Sequence, residues 1–161
     1  MIAVGDRAPE FTGKLADGRA LRLQDFRGRR HVVLYFFPKD FTPGCTREAC
    51  SFRDRRAEVA GLDAEVIGVS LDTPEKHAQF AEAHQLPYPL VSDRSGQIAA
   101  AYGVARLWGW LPTKRVTFVI DKDGIIRHHF ARRASSGDIP GTTIRKWISM
   151  WPLASRAPSN G

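Results

Sequence analysis

The chain has 161 residues, 43% of them apolar and 25% charged, which is the make-up of a single globular domain. A chain of this length buries roughly two-thirds of its unfolded surface, so neither a metal nor a disulfide staple is needed for folding. The longest apolar run, Val32 to Phe37, falls far short of the roughly 20 residues of a membrane span, and the net charge of +7 is spread over short basic clusters.

Those clusters are Arg27/Arg29/Arg30, Arg53/Arg55/Arg56, Arg132/Arg133 and Arg145/Lys146, with no dominant tract. The pattern reads as a solvated basic surface that attracts acidic partners rather than as a nucleic-acid site. No basic segment followed by an apolar run opens the chain, so no secretory leader is read and the cytoplasm is the expected compartment. An exported protein trimmed of its leader would look the same. In the cytoplasm thiols are kept reduced, and a cysteine pair is more often catalytic than structural.

In chain order, the opening segment with Asp17-Gly18 as its turn predicts a short N-terminal hairpin. His31–Phe37 is continuously apolar and rich in β-branched and aromatic residues, as a strand buried on both faces should be. A loop with two prolines follows, and then a helix is predicted from about Cys45 to Gly61, with Ala49, Phe52, Arg56 and Val59 at helical spacing. Glu65–Leu71 reads as a second buried strand. Thr73 and Pro74 then open a helix as its N-cap and first residue, with Phe80, Ala83 and His84 as the expected inner face.

A short strand near Leu90–Val91 and a helix from about Ser95 to Tyr102 come next. Arg115–Asp121 and Ile125–Phe130 flank Lys122-Asp123-Gly124, a hairpin signal. A last helix is predicted near Thr142–Trp151, and a polar tail over residues 152–161 frays. Residues 1–151 are thus expected to form one α/β domain: a mixed sheet flanked by helices, compatible with the thioredoxin architecture.

The chemistry concentrates in Pro38-Lys-Asp-Phe-Thr42-Pro-Gly-Cys45-Thr-Arg-Glu48-Ala-Cys50. A helix opening there puts Cys45 in its first turn, where unpaired N–H groups and the helix dipole stabilise a thiolate. The pair alone also fits two small buried residues. The spacing is not Cys-x-x-Cys, and two cysteines without neighbouring histidines make a poor zinc site. His77/His84 and His128-His129 read as helix and strand residues rather than metal ligands. In an intact helix residues i and i+5 are about 8.6 Å apart, whereas a disulfide spans at most about 7 Å between Cα atoms. A Cys45–Cys50 bond therefore requires the first turn or two to unwind, which suits a transient bond better than a structural one.

At these residues the sequence resembles the peroxiredoxins, in particular the bacterioferritin comigratory protein or peroxiredoxin Q group. Pro38, Thr42 and Cys45 match the family's Pro, three residues, Thr or Ser, two residues, Cys pattern, and Cys50 matches the resolving cysteine five residues on. The likeness continues through Gly68-Val69-Ser70 with Asp72, Tyr102-Gly103-Val104 and Arg115 to Gly124.

The resemblance implies a thioredoxin-like fold and a thiol peroxidase acting on hydrogen peroxide and organic hydroperoxides. Cys45 would be oxidised to a sulfenic acid and Cys50 would resolve it as an intramolecular disulfide, reopened by thioredoxin or a similar reductant. Thr42 would point its hydroxyl at the reacting oxygens, Pro38 would shield the pocket, and Arg115 would lower the thiolate pKa and stabilise charge on the O–O bond. Glu48, one turn from Cys45, would orient an arginine or remain a solvated surface residue.

No metal, haem or flavin cofactor is implied, nor a membrane or nucleic-acid partner; a monomer or weak homodimer is expected. The segment Ala105 to Lys114 departs from the family pattern with Trp108 and Trp110, as an apolar collar for organic hydroperoxides, a partner patch or core packing. Two other readings stay open: a thiol–disulfide oxidoreductase or redox sensor without peroxide turnover, and a non-enzymatic binding domain using the basic surface.

Overall fold

The computed structural model describes residues 2–38, 41, 43–61, 63–105 and 115–131, with residues 43–45 and 48 described by backbone alone. The Trp108/Trp110 segment, Thr42, the expected helix near 142–151 and the tail lie outside the described residues.

Among the described residues, seven strands form one mixed sheet in the order β2-β1-β5-β4-β3-β6-β7. The hairpin of β1 (Thr12–Leu15) and β2 (Ala20–Arg22) turns through Gly18, whose φ of 88° is open to glycine without a Cβ penalty. Central β3 (His31–Phe36) runs parallel to β4 (Ala64–Ser70), which in turn runs parallel to β5 (Leu90–Ser92). On its other side β3 is antiparallel to β6 (Val116–Ile120), and β7 (Ile126–Ala131) closes the hairpin expected around Lys122-Asp123-Gly124.

All six residues of β3 are buried, the apolar run from Val32 as its composition predicts and His31 with it. Alternation along the strand sends Val33, Tyr35 and Phe37 to one core, and Val32, Leu34 and Phe36 to another. Helices α1 (Pro43–Gly61) and α2 (Pro74–His84) cover the first face, through Ala49, Phe52, Val59 and Phe80. The short α3 (Gln97–Ala101) and a 3-10 turn at Leu23–Phe26 cover the second. At Gly68 the sheet leaves no room for a side chain, since a Cβ would come within 2.9 Å of the Tyr35 ring.

The structure moves several predicted boundaries. Helix α1 begins at Pro43, two residues before the expected start, because proline at the first helical position forfeits an N–H that has no partner there anyway. Arg115 lies one residue ahead of β6 rather than inside it. On α2, Thr73 caps as expected, its hydroxyl accepting from the Lys76 N–H at 3.1 Å. The inner face differs: His77 and Phe80 are buried and Ala81 packs against the core, whereas Ala83 is exposed and His84 half-buried.

Candidate active site

In an open α/β sheet the carboxyl ends of the parallel strands form the natural crevice for a site. Here β3 delivers Phe37 and Pro38 to that end, with the Phe37 N–H bonded to the Val69 carbonyl at 3.1 Å. Helix α1 starts five residues after Pro38 and carries the backbone of Cys45 in its first turn. Because β6 is antiparallel to β3, its start meets the same end. The register pairs Phe36 with Val116, so one further step sets Arg115 opposite Phe37. By alternation Arg115 shares the parity of Val119, on the face covered by α1, and it is buried.

Three of the expected residues are therefore described in part or whole around one sheet end: Pro38, half-buried; Arg115, buried; and Cys45, by its backbone. Glu48 is placed on α1 by backbone alone, and Cys50, half-buried one turn beyond Cys45, carries a free thiol.

Neighbouring elements hold this end together. The Ser70 hydroxyl donates to Asp72 at 2.9 Å and lies 3.3 Å from His77 Nε2, while the Ser92 hydroxyl donates to the Asp72 carbonyl at 2.5 Å. Phe41, in the loop before α1, takes a left-handed φ of 63° and is half exposed. Its ring contacts Phe80 at 5.1 Å and His84 at 6.2 Å between centroids. Arg53 lies one turn beyond Cys50. A hydrogen bond to Asp54 raises its pKa further, burial opposes this, and a Cys50 thiolate would add to the rise.

Among the described residues no group of three or more His, Cys, Asp or Glu could hold a metal ion, and no helix is long and apolar enough to cross a membrane.

The sequence pattern of the AhpC/TSA family matches residues 4–129, most of the chain. The chain belongs to the AhpC/TSA family. Its relatives place it among the peroxiredoxins, and thiol peroxidase activity goes with that membership. Peroxiredoxin Bcp of Bacillus subtilis is 45% identical over 128 residues, which is 76% of this chain and 81% of that one. Chloroplastic peroxiredoxin Q of Oryza sativa subsp. japonica is 39% identical over 145 residues, or 89% of this chain and 66% of the relative. This chain thus spans about two-thirds of that plant protein. Among solved structures, peroxidoxin BcpB from Mycobacterium tuberculosis superposes with a TM-score of 0.82 at 38% identity, covering 92% of this chain and 96% of that one.

The peroxiredoxin reading accounts for the loop and helix around Cys45, but it did not single out the side chains that secure them. Tyr35, Phe41, Arg53 and Tyr88 are among these. Only Tyr88, an aromatic between two prolines in Pro87-Tyr-Pro89, carries any local signal.

Proposed function

We propose that this peroxidase works by an intramolecular two-cysteine cycle. The Cys45 thiolate attacks the terminal oxygen of a hydroperoxide, the O–O bond breaks, and an alcohol or water leaves once protonated. Cys45 is then a sulfenic acid. The Cys50 sulfur attacks the Cys45 sulfur, an S–S bond forms, and the hydroxyl departs as water. A dithiol reductant of the thioredoxin kind supplies two electrons to reopen the disulfide.

What carries the reading is the start of α1 two residues before Cys45, at the sheet end that Arg115 also reaches. A thiol in a first helical turn is stabilised as thiolate by the dipole and free N–H groups, and an adjacent guanidinium strengthens the effect. In this scheme Arg115 stabilises charge on the breaking O–O bond, Thr42 directs its hydroxyl to the reacting oxygens and Pro38 limits water. Glu48 orients an arginine. A reducing compartment such as the cytoplasm suits a disulfide that must reopen at every turnover, and residues 1–151 act as one domain, as monomer or weak homodimer.

The test is a Cys50→Ser variant treated with hydroperoxide. A sulfenic-acid trap should label Cys45 stoichiometrically, while the wild type forms the disulfide instead. Full peroxidase activity in Cys45→Ser would overturn the reading.

A further inference from the structure

Tyr88 is buried in the connection between α2 and β5, far in sequence from the cysteines. Its hydroxyl donates to the main-chain carbonyl of Ala49 at 2.7 Å and lies 2.9 Å from the hydroxyl of Tyr35, also buried. A phenol has one proton to give. Since that of Tyr88 goes to Ala49, Tyr35 donates to Tyr88, and the two hydroxyls form a relay that ends on α1. A carbonyl inside a helix is ordinarily satisfied by the N–H four residues on. The Ala49 carbonyl receives a second donor from a side chain 39 residues away.

The peptide unit concerned is the one that matters for resolution. The Ala49 carbonyl and the Cys50 N–H belong to the same rigid plane. For Cys50 to reach Cys45, the bond from that N–H back to the preceding turn must open and the plane must turn. Beyond it α1 is tied down: Phe52 stacks on Tyr35 at 4.6 Å, and Arg53 Nη1 donates to the His84 carbonyl at 2.8 Å. Ahead of it Thr46 is half-buried and Arg47 exposed. Ala49 is itself buried, one turn ahead of these two contacts.

We propose that Tyr88 is a positioning residue for the resolving step, its hydroxyl holding the Ala49–Cys50 peptide in the helix and so setting how often Cys50 swings out to the oxidised Cys45. The proposal rests on the reading of Cys50 as the resolving thiol. The latch lengthens the life of the sulfenic acid and thereby exposes Cys45 to further oxidation by a second peroxide.

Stopped-flow kinetics separate the steps. In Tyr88→Phe, disulfide formation should accelerate roughly twofold to tenfold, the worth of one neutral hydrogen bond. The rate constant for Cys45 with peroxide should stay unchanged, and less sulfinic acid should accumulate at high peroxide. Tyr35→Phe keeps the bond to Ala49 and should resolve within about twofold of wild type. A second measurement needs no variant at Tyr88. The chain has three tyrosines, so labelling their ring Cζ with carbon-13 gives three resonances. That of Tyr88 should shift when the wild type forms its disulfide and stay put in peroxide-treated Cys50→Ser. Tyr102, bonded to the Pro9 carbonyl at 2.7 Å, serves as reference. An unchanged resolution rate in Tyr88→Phe, or a Tyr88 resonance blind to the disulfide, overturns the latch alone. If the wild type forms no Cys45–Cys50 disulfide, the underlying cycle falls and the latch with it.

Discussion

The ring of Phe52 lies over that of Tyr35, with centroids 4.6 Å apart and planes inclined by 25°. Through this stack the second half of α1 is bolted to the central strand of the sheet, and both rings are fully buried. Truncating Phe52 to alanine removes the stack and leaves a cavity between helix and sheet. The expected cost is about 3–5 kcal/mol of folding stability. Urea unfolding with both cysteines kept reduced measures it, and a loss below about 1 kcal/mol would mean that the surrounding core closes over the gap.

Arg115 gives a chemical prediction. If Arg115 stabilises the Cys45 thiolate as proposed, Arg115→Met removes a buried cation from it, and the midpoint of Cys45 alkylation by iodoacetamide should move to higher pH. Turnover should fall about 10²- to 10³-fold, the usual loss when one preorganised donor is removed. Arg115→Lys keeps the charge but not the planar fork, and should recover the alkylation profile better than the turnover. An alkylation midpoint unmoved in Arg115→Met would take Arg115 out of the site.

His128 on β7 gives a pH prediction. Partial burial disfavours its charged form and lowers its pKa below the ordinary value of 6.5. Below about pH 6.5 the unfolded chain therefore binds this proton more readily than the folded one. The stability linked to this group is fully present above that pH and is lost as the pH falls through the lowered folded-state pKa. His128→Gln should lose less stability than wild type between pH 7.5 and 5.5, as read from urea midpoints. Equal losses in the two proteins would show that the imidazole titrates alike folded and unfolded.

Much of the architecture was legible because it rests on local pattern. The run His31–Phe36 could be buried only on both faces, and Thr73-Pro74 announces a helix start whose cap the structure shows in full. Cys45 stays in a first turn although α1 starts at Pro43, because a shift of two residues is smaller than one turn. The inner face of α2 was harder to read. Alanines at 78, 81 and 83 give almost no amphipathic contrast, so only tertiary packing decides that Ala81 turns inward and Ala83 outward. The two prolines mark Tyr88 in the sequence, but nothing there names Ala49 as its partner, since the bond exists only once β5 has taken its place beside β4.

The position of β3 between β4 and β6 also bears on synthesis. Ile120, the last residue of β6, follows Phe36 by 84 positions, so the central strand waits for its second neighbour while that stretch is made. At the usual 5–20 residues per second the wait is roughly 4–17 s. When Ile120 is made, Cys45 and Cys50 lie 75 and 70 residues behind it, on a segment whose docking sheet is still incomplete. On the proposed cycle, a newborn chain meets oxidants before Tyr88 can reach Ala49, and chaperone occupancy during those seconds should govern how much of it is born already cross-linked.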